Sequence, residues 1–420
     1  MTTYEQAVAR ILESIQVLPV EKKALSKCLG QVAAEDVSSS ITLPQRPLSG
    51  PDGYAVRAVD IAGATKNTPV ILEIRESVRA GKLPKQKVQP RSATRIMTGS
   101  VVPDGADCII RFEDTDEPQE KNGPNPSSPS EVKIYVSSSA GAGMFAVGQF
   151  VRRGQVVVPK GTVIGPGQIS VLTTIGKDKI KVFRRPVVAI ICTGDELVSA
   201  GRPLRPGKTY NSNGPALVAQ VTHHGGIAKV LGIARDNQAP VEKKIRQGMS
   251  ADTILISGGV SKGDFDLVRL VVAKLGRIEF NRIQMGPGAS FSFGVLTVSA
   301  AGRKRRVPVF ALAGPPAGCL INFETLVRPA IRKFLGYTAV HHPEVEAVAV
   351  EATSSKAPFN FAKWTELRRT ENGYRAFFHS EAGTGALSAL GSSNALTIIK
   401  RGSRIEPGDK IKVLPLDWVQ

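Results

Sequence analysis

The chain has 420 residues, 55 of them Lys or Arg and 36 Asp or Glu, for a formal net charge of +19. That length is too great for a single hydrophobic core and implies roughly two to four domains, while 42% hydrophobic residues exclude a disordered chain. The charge favours anionic partners, but with aromatics at 5% and no zinc-finger or RNA-binding aromatic motif, nucleic acid is not the expected one.

In chain order, "TTYEQAVARILESI" predicts an amphipathic helix. Thr3 and Gln6 have capping-box spacing, and Tyr4, Ala7, Val8, Ile11, Leu12 and Ile15 share one face. From Val32 to Ser138 the pattern is strands and turns punctuated by Pro and Gly, with "KNGPNPSSPSE", ending at Glu131, as a hairpin loop. "GQVVVPKGTVIGPGQISVLTTIG" predicts a strand, a turn and a helix from near Pro166 to Gly176. From Pro186, strands such as "VVAIICTG", "AKVLGIARDN" and "DTILISGG" alternate with helices such as "GPALVAQVTHHGG", "APVEKKIRQGMS" and "FDLVRLVVAKLG". Such alternation predicts a doubly wound α/β domain, a parallel sheet covered on both faces. The densest basic run, Arg303 to Arg306, is expected to decorate an exposed hairpin turn, and "CLINFETLVRPAIRKFLG" to close the domain with a helix. After Tyr337, "VEAVAVEA", "GYRAFFHS", "ALTIIK" and "KIKVLPL" predict a small β domain. Cys28, Cys108, Cys192 and Cys319 lie far apart and read as reduced thiols of a cytoplasmic protein. No apolar run reaches the length of a membrane span and no signal peptide is evident, so no membrane partner is expected.

In a doubly wound sheet, ligands sit beyond the carboxyl ends of the strands, near a switch in strand order. Two loops are chemically rich there: "CTGDEL", with Thr193, Asp195 and Glu196, and "SGGVSKGDFD", with Ser257, Gly258, Gly259, Ser261, Lys262, Gly263, Asp264 and Asp266. Glycines let the backbone approach a ligand, free amides at a helix start bind phosphate, and carboxylates beside an anion make sense if a divalent cation bridges them. The plain alternative is that the glycines only turn the chain and the acids cap helices. A third cluster lies outside this domain: "LSGPDGYAVRAVD" places Asp52 beside Gly53 in a turn and "RIMTGSVVPDGADCIIRFEDTDE" places Thr98 at a strand-to-turn junction, weak signals alone since Asp-Gly is a common turn dipeptide.

Taken together and in order, "PDGYAVRAVD", "RIMTGSVVPDGADCIIRFEDT", "RRPVVAIICTGDEL", "PGKTYNSN", "GIARDN", "ISGGVSKGDFDLV", "FETLVRPAIRKFLG", "GTGALSALGSSNAL" and "IEPGDKIKV" are far more specific. The chain resembles the molybdopterin molybdenumtransferase family, which includes the E domain of gephyrin, over nearly its whole length. The resemblance implies a multidomain α/β plus β fold. Its expected parts are a discontinuous linking domain (1–46 and 143–182), a β-rich lobe (47–142), a molybdopterin-binding α/β domain (183–336) and a C-terminal β barrel (337–420). It implies a homodimer whose site lies between the α/β domain and the partner chain's β lobe, and contact with other proteins of molybdenum cofactor biosynthesis. It also implies a reaction in which adenylylated molybdopterin and molybdate give molybdenum cofactor and AMP with a divalent cation, usually Mg2+. On the family pattern Asp52, Thr98, Glu196, Asp236 and Asp266 fall at functional positions, Glu196 and Asp266 on the metal side. Ser257, Gly258, Gly259, Ser261, Lys262 and Gly263 would lie against the substrate.

The chain departs from the pattern in four places. The "KPGKP" loop reads "MGPGAS", with Gly286 and Ala289 where the family has lysines; "PGNP" reads "AGPPAG", with Pro315; Pro51 replaces a Met; Phe150 takes the place of an aspartate. Losing two lysines removes fixed positive charge from an anion pocket, and Lys262 could supply a replacement. These departures keep open the alternative of a non-catalytic relative that carries, protects or senses the pterin.

Overall fold

The computed structural model describes residues 1–117, 130–259, 267–300, 303–355, 357–378 and 387–416. They form two compact units, one of Met1–Glu35, Lys160–Ile169 and Asp178–Gln420, the other of Asp36–Pro159 and Ser170–Lys177.

The first unit opens with the helix Tyr4–Ser14, capped as its sequence requires. The Gln6 amide donates to Thr3 Oγ1 and the Thr3 amide to Gln6 Oε1, both at 3.2 Å. Ala7, Val8 and Ile11 are buried in a core shared with the helix Arg328–Phe334.

Six strands form the central sheet of this unit, in the order Ile227–Ala234, Val187–Thr193, Thr253–Ser257, Arg303–Leu312, Ser292–Ala300, Gly276–Asn281. Alternate residues of the inner strands point to opposite faces. Val188, Ile190 and Leu255 join one apolar core, and Ala189, Ile191, Ile254 and Ile256 join the other. Both faces are therefore covered, as the alternation of elements requires. The strand order turns back on itself at Val187–Thr193, which lies between the second and third strands in sequence. Its carboxyl end is the switch point.

The expected all-parallel sheet is corrected in one respect. Four neighbouring strands are parallel, but Ser292–Ala300 runs against them, and Gly276–Asn281, paired antiparallel to it at the edge, points the same way as the four. The basic run is corrected with it. Arg303 to Arg306 do not lie in a turn but begin a strand, pairing with Ala300 to Thr297. This part of the strand overhangs its other neighbour, which pairs only with Val309 to Leu312, so polar side chains are tolerated there. Lys304 and Arg306 are exposed, and Arg305 turns inward to donate to the carbonyls of Ala251 and Met249.

The closing helix is continuous but not uniform: Pro316–Asn322 and Arg328–Phe334 flank a π-helical turn, Phe323–Val327. The tail strands Val345–Ala349, Asn360–Thr370, Gly373–Phe377, Ala395–Ile399 and Lys410–Pro415 close into a five-stranded barrel. Asn360–Thr370, which the sequence reading left out, closes it. Phe361 to Thr365 pair with one neighbour and Glu366 to Thr370 with another.

The second unit is built on a five-stranded sheet in the order Cys108–Arg111, Gly53–Val56, Ser92–Ile96, Val70–Val78, Glu131–Ile134. Its interior holds a buried ion pair. Arg95 donates to Glu117 Oε1 at 3.0 and 2.6 Å, and the Tyr54 hydroxyl donates to the same carboxylate. The Pro-rich loop before Glu131 falls mostly outside the described residues.

Candidate functional site at the strand switch

At the carboxyl end of Val187–Thr193 the chain turns through Gly194 into two exposed carboxylates, Asp195 and Glu196. The neighbouring strand Ile227–Ala234 delivers Asp236. Asp195 and Asp236 lock the two loops together, each amide donating to the other's carboxylate at 3.3 Å. Lys208 Nζ donates to the Asp195 carbonyl at 2.8 Å. The Glu196 backbone carbonyl accepts from Thr209 at 2.9 Å, while its carboxylate has no hydrogen-bond or ion-pair partner among the described residues.

The next strand, Thr253–Ser257, ends in Gly258 and Gly259 with φ of +88° and +70°. Both need glycine twice over, for the left-handed backbone and for space. A Cβ on Gly258 would stand 2.6 Å from the Thr193 carbonyl oxygen, and one on Gly259 2.8 Å from Thr193 Oγ1. Ser257 is buried, and its hydroxyl accepts from Asn213 Nδ2 at 2.7 Å; the same amide donates to the Gly314 carbonyl at 2.8 Å. Asn213 thus ties the start of its helix to the ends of two inner strands, at the carboxyl end of the sheet. Two buried polar atoms here lack partners among the described residues, Thr193 Oγ1 and Asn213 Oδ1. Buried polar atoms are normally satisfied, so these two are suited to a polar ligand. The nearby thiols are not nucleophiles. Burial pushes Cys319 up to about 12 and also raises Cys192.

Of the residues singled out from sequence, Glu196, Asp236, Ser257, Gly258 and Gly259 sit at the carboxyl ends of three adjacent strands. Asp52 and Thr98 meet in the second unit, where Asp52 Oδ1 accepts from the Thr98 amide at 2.7 Å and its hydroxyl at 2.8 Å. Ser261, Lys262, Gly263, Asp264 and Asp266 lie outside the described residues. Sequence reasoning gave no role to Asn213, although "PGKTYNSN" contains it. Its partners lie 44 and 101 residues away, which no local pattern reveals.

At Gly286, where a lysine was expected, the backbone pairs with Phe361, and a Cβ would stand 3.0 Å from the rings of both Phe359 and Phe361. A side chain at this position would require the two rings to give by a few tenths of an ångström. Phe150 is 54% exposed, with its ring 5.0 Å from that of Phe145.

No group of three or more His, Cys, Asp or Glu among the described residues is arranged to enclose a metal ion. Glu196 and Asp236 nevertheless suit Mg2+, which commonly takes one or two carboxylates and keeps water or phosphate as its other ligands. Neither has an ion-pair partner among the described residues in a chain of net charge +19.

Residues 2–176 match the family described as MoeA N-terminal region (domain I and II), and residues 189–333 match the probable molybdopterin binding domain. The molybdopterin molybdenumtransferase of Bacillus subtilis is 32% identical over 413 residues, covering 98% of this chain and 93% of that protein. Its Staphylococcus aureus counterpart is 31% identical, covering 95% and 92%. A crystal structure of a molybdopterin biosynthesis MoeA protein from Pyrococcus horikoshii, 31% identical, superposes with a TM-score of 0.80 and 99% coverage of both chains. With the switch-point loops, the β-barrel tail and full-length likeness in agreement, this chain belongs to the molybdopterin molybdenumtransferase family.

Proposed function

We propose that the protein inserts molybdate into adenylylated molybdopterin and releases AMP, acting in the cytoplasm as a Mg2+-dependent homodimer. The observation that carries this reading is the switch-point site, where Thr193 Oγ1 and Asn213 Oδ1 await polar partners beside the close-packed Gly258 and Gly259. Gly258, Gly259 and Ser257 shape a floor on which the pterin phosphate lies. Lys208, held against the Asp195 carbonyl, adds positive charge at the rim. Glu196 and Asp236 would hold Mg2+, whose chemistry is to offset phosphate charge as the pyrophosphate bond breaks. Asp266 would join them on the metal side, and Ser261, Lys262 and Gly263 would complete the substrate loop. Asp52 and Thr98 enter through the family pattern, as a hydrogen-bonded pair on an exposed turn.

The test is to incubate purified protein with adenylylated molybdopterin and Mg2+, add molybdate and measure AMP. Stoichiometric AMP release that needs both molybdate and metal is expected, and Glu196→Ala should reduce turnover by more than tenfold while weakening pterin binding less, because metal-held charge matters most during bond cleavage. Pterin binding without AMP release would instead favour the carrier reading, toward which the missing lysines point. Light scattering at micromolar concentration should give twice the 44.7 kDa chain mass; a monomer would remove the dimer from the proposal.

A further inference from the structure

At the end of the central sheet opposite the switch point, the strands Ser292–Ala300 and Arg303–Leu312 run on as a two-stranded ribbon. Pairing with Gly276–Asn281 stops at Leu296, and pairing with Thr253–Ser257 begins only at Val309. Beyond those limits Thr297, Val298, Ser299 and Ala300 pair with Arg306, Arg305, Lys304 and Arg303 alone. We propose that this ribbon is a docking surface for an acidic, extended segment of a partner protein, which adds as a strand to the free edge at residues 297–300.

Side chains alternate across a strand, so the basic run is divided between two faces. Val298 and Arg305 face inward. Val298 packs on one of the two cores that flank the sheet, and Arg305 Nη1 donates to the Ala251 carbonyl at 2.7 Å. These contacts hold the ribbon down. Thr297, Ser299, Lys304 and Arg306 make the other face, and all four are exposed. Neither Lys304 nor Arg306 has a hydrogen-bond or ion-pair partner for its side chain among the described residues; Asp252 approaches Arg305, at 3.9 Å, and not these two.

The edge identifies the kind of partner. The backbone of 297–300 meets no further strand, and no other backbone group among the described residues bonds to it. It therefore offers unpaired N–H and C=O groups to an added strand. Natural edges are commonly guarded by charge or proline on the edge itself, yet this one carries Thr, Val, Ser and Ala. The cations stand one strand behind it, across small hydroxyl side chains. An added strand would lie about 10 Å from theirs, two inter-strand spacings, a gap that a Lys or Arg side chain and a Glu side chain close between them. Carboxylates on that strand would be attracted, whereas a second copy of this basic ribbon would be repelled. Nucleic acid has no peptide groups to continue the ladder, and the exposed face has no aromatic ring on which bases stack.

The experiment is fluorescence anisotropy of a labelled decapeptide of alternating Glu and Val, titrated with the full-length protein at low salt. Alternation sets every carboxylate on one face of the strand. Saturable binding is expected, weakened roughly tenfold or more in the double variant Lys304→Glu, Arg306→Glu, about the loss of one charge-assisted bond. The charge-matched variant Lys400→Glu, Arg401→Glu, at exposed residues that follow a barrel strand, should bind as wild type does. A peptide with proline in place of valine keeps the charge but cannot pair as a strand, and it should bind wild type roughly tenfold more weakly. No saturation, equal loss in the two double variants, equal affinity for the proline peptide, or tighter binding of a single-stranded oligonucleotide would each overturn the proposal.

Discussion

Glu324→Ala is expected to destabilise the first unit by about 3–5 kcal/mol, the cost of breaking a buried charge cluster from one side. Glu324 has no exposed surface. It sits in the π-helical turn and joins Gln220 of the helix Asn213–His223 to His342 of the segment leading into the barrel. Removing it strands two imidazoles and an amide in the interior. Burial pushes its carboxyl pKa up, but hydrogen bonds and charge from His224 and His342 outweigh that and hold it below the ordinary value. The sign follows directly. An ionised group with a lowered folded pKa contributes stability that is complete above the unfolded value of about 4.3 and is lost as pH falls through the folded value. Melting temperature should therefore fall in acid more steeply for wild type than for Glu324→Gln, which keeps an acceptor for Gln220 but cannot titrate. Calorimetry from pH 7 down to pH 3 reads both effects; identical acid profiles would show that the cluster does not set the pH response.

Gly258→Ala should be nearly as damaging, for a different reason. The left-handed backbone alone costs a non-glycine residue roughly 1–3 kcal/mol. Here the added methyl also meets the Thr193 carbonyl at 2.6 Å, a backbone atom that cannot swing away. The two switch-point loops must then separate, and ligand binding should fail with them. Gly402→Ala is the control, since Gly402 has φ +71° and nothing within 4 Å of the added carbon. It isolates the backbone strain. Equal melting temperatures for the two variants would mean that the contact with Thr193 is soft.

Much of this was legible in the sequence because it is local or periodic. Thr3 and Gln6 are three residues apart, so the cap could be read directly. The glycine loops end buried strands, so their place at the carboxyl ends followed once the alternation was seen. What escaped has distant partners. Arg303 to Arg306 read as a turn because a basic run seldom lies within a sheet; only the overhang past Thr253–Ser257 makes room for it. The strand Asn360–Thr370 changes partner midway, and its mixture of apolar and charged residues follows two neighbours rather than one. Glu324 falls within the helical pattern of "FETLVRPAIRKFLG", yet Gln220, 104 positions away, gives it a role. Asp52 and Thr98, 46 positions apart, carry only weak local signals, a turn and a strand-to-turn junction, and their hydrogen bond is visible only in the fold.

The central claim is that the pterin is held at the strand switch by polar atoms otherwise left without partners. Titrating adenylylated molybdopterin into wild type, Thr193→Val and Asn213→Ala, followed by pterin fluorescence, tests it most directly. One site per chain is predicted, with affinity reduced roughly tenfold in each variant. Equal affinity in all three proteins would contradict the account and place the ligand elsewhere.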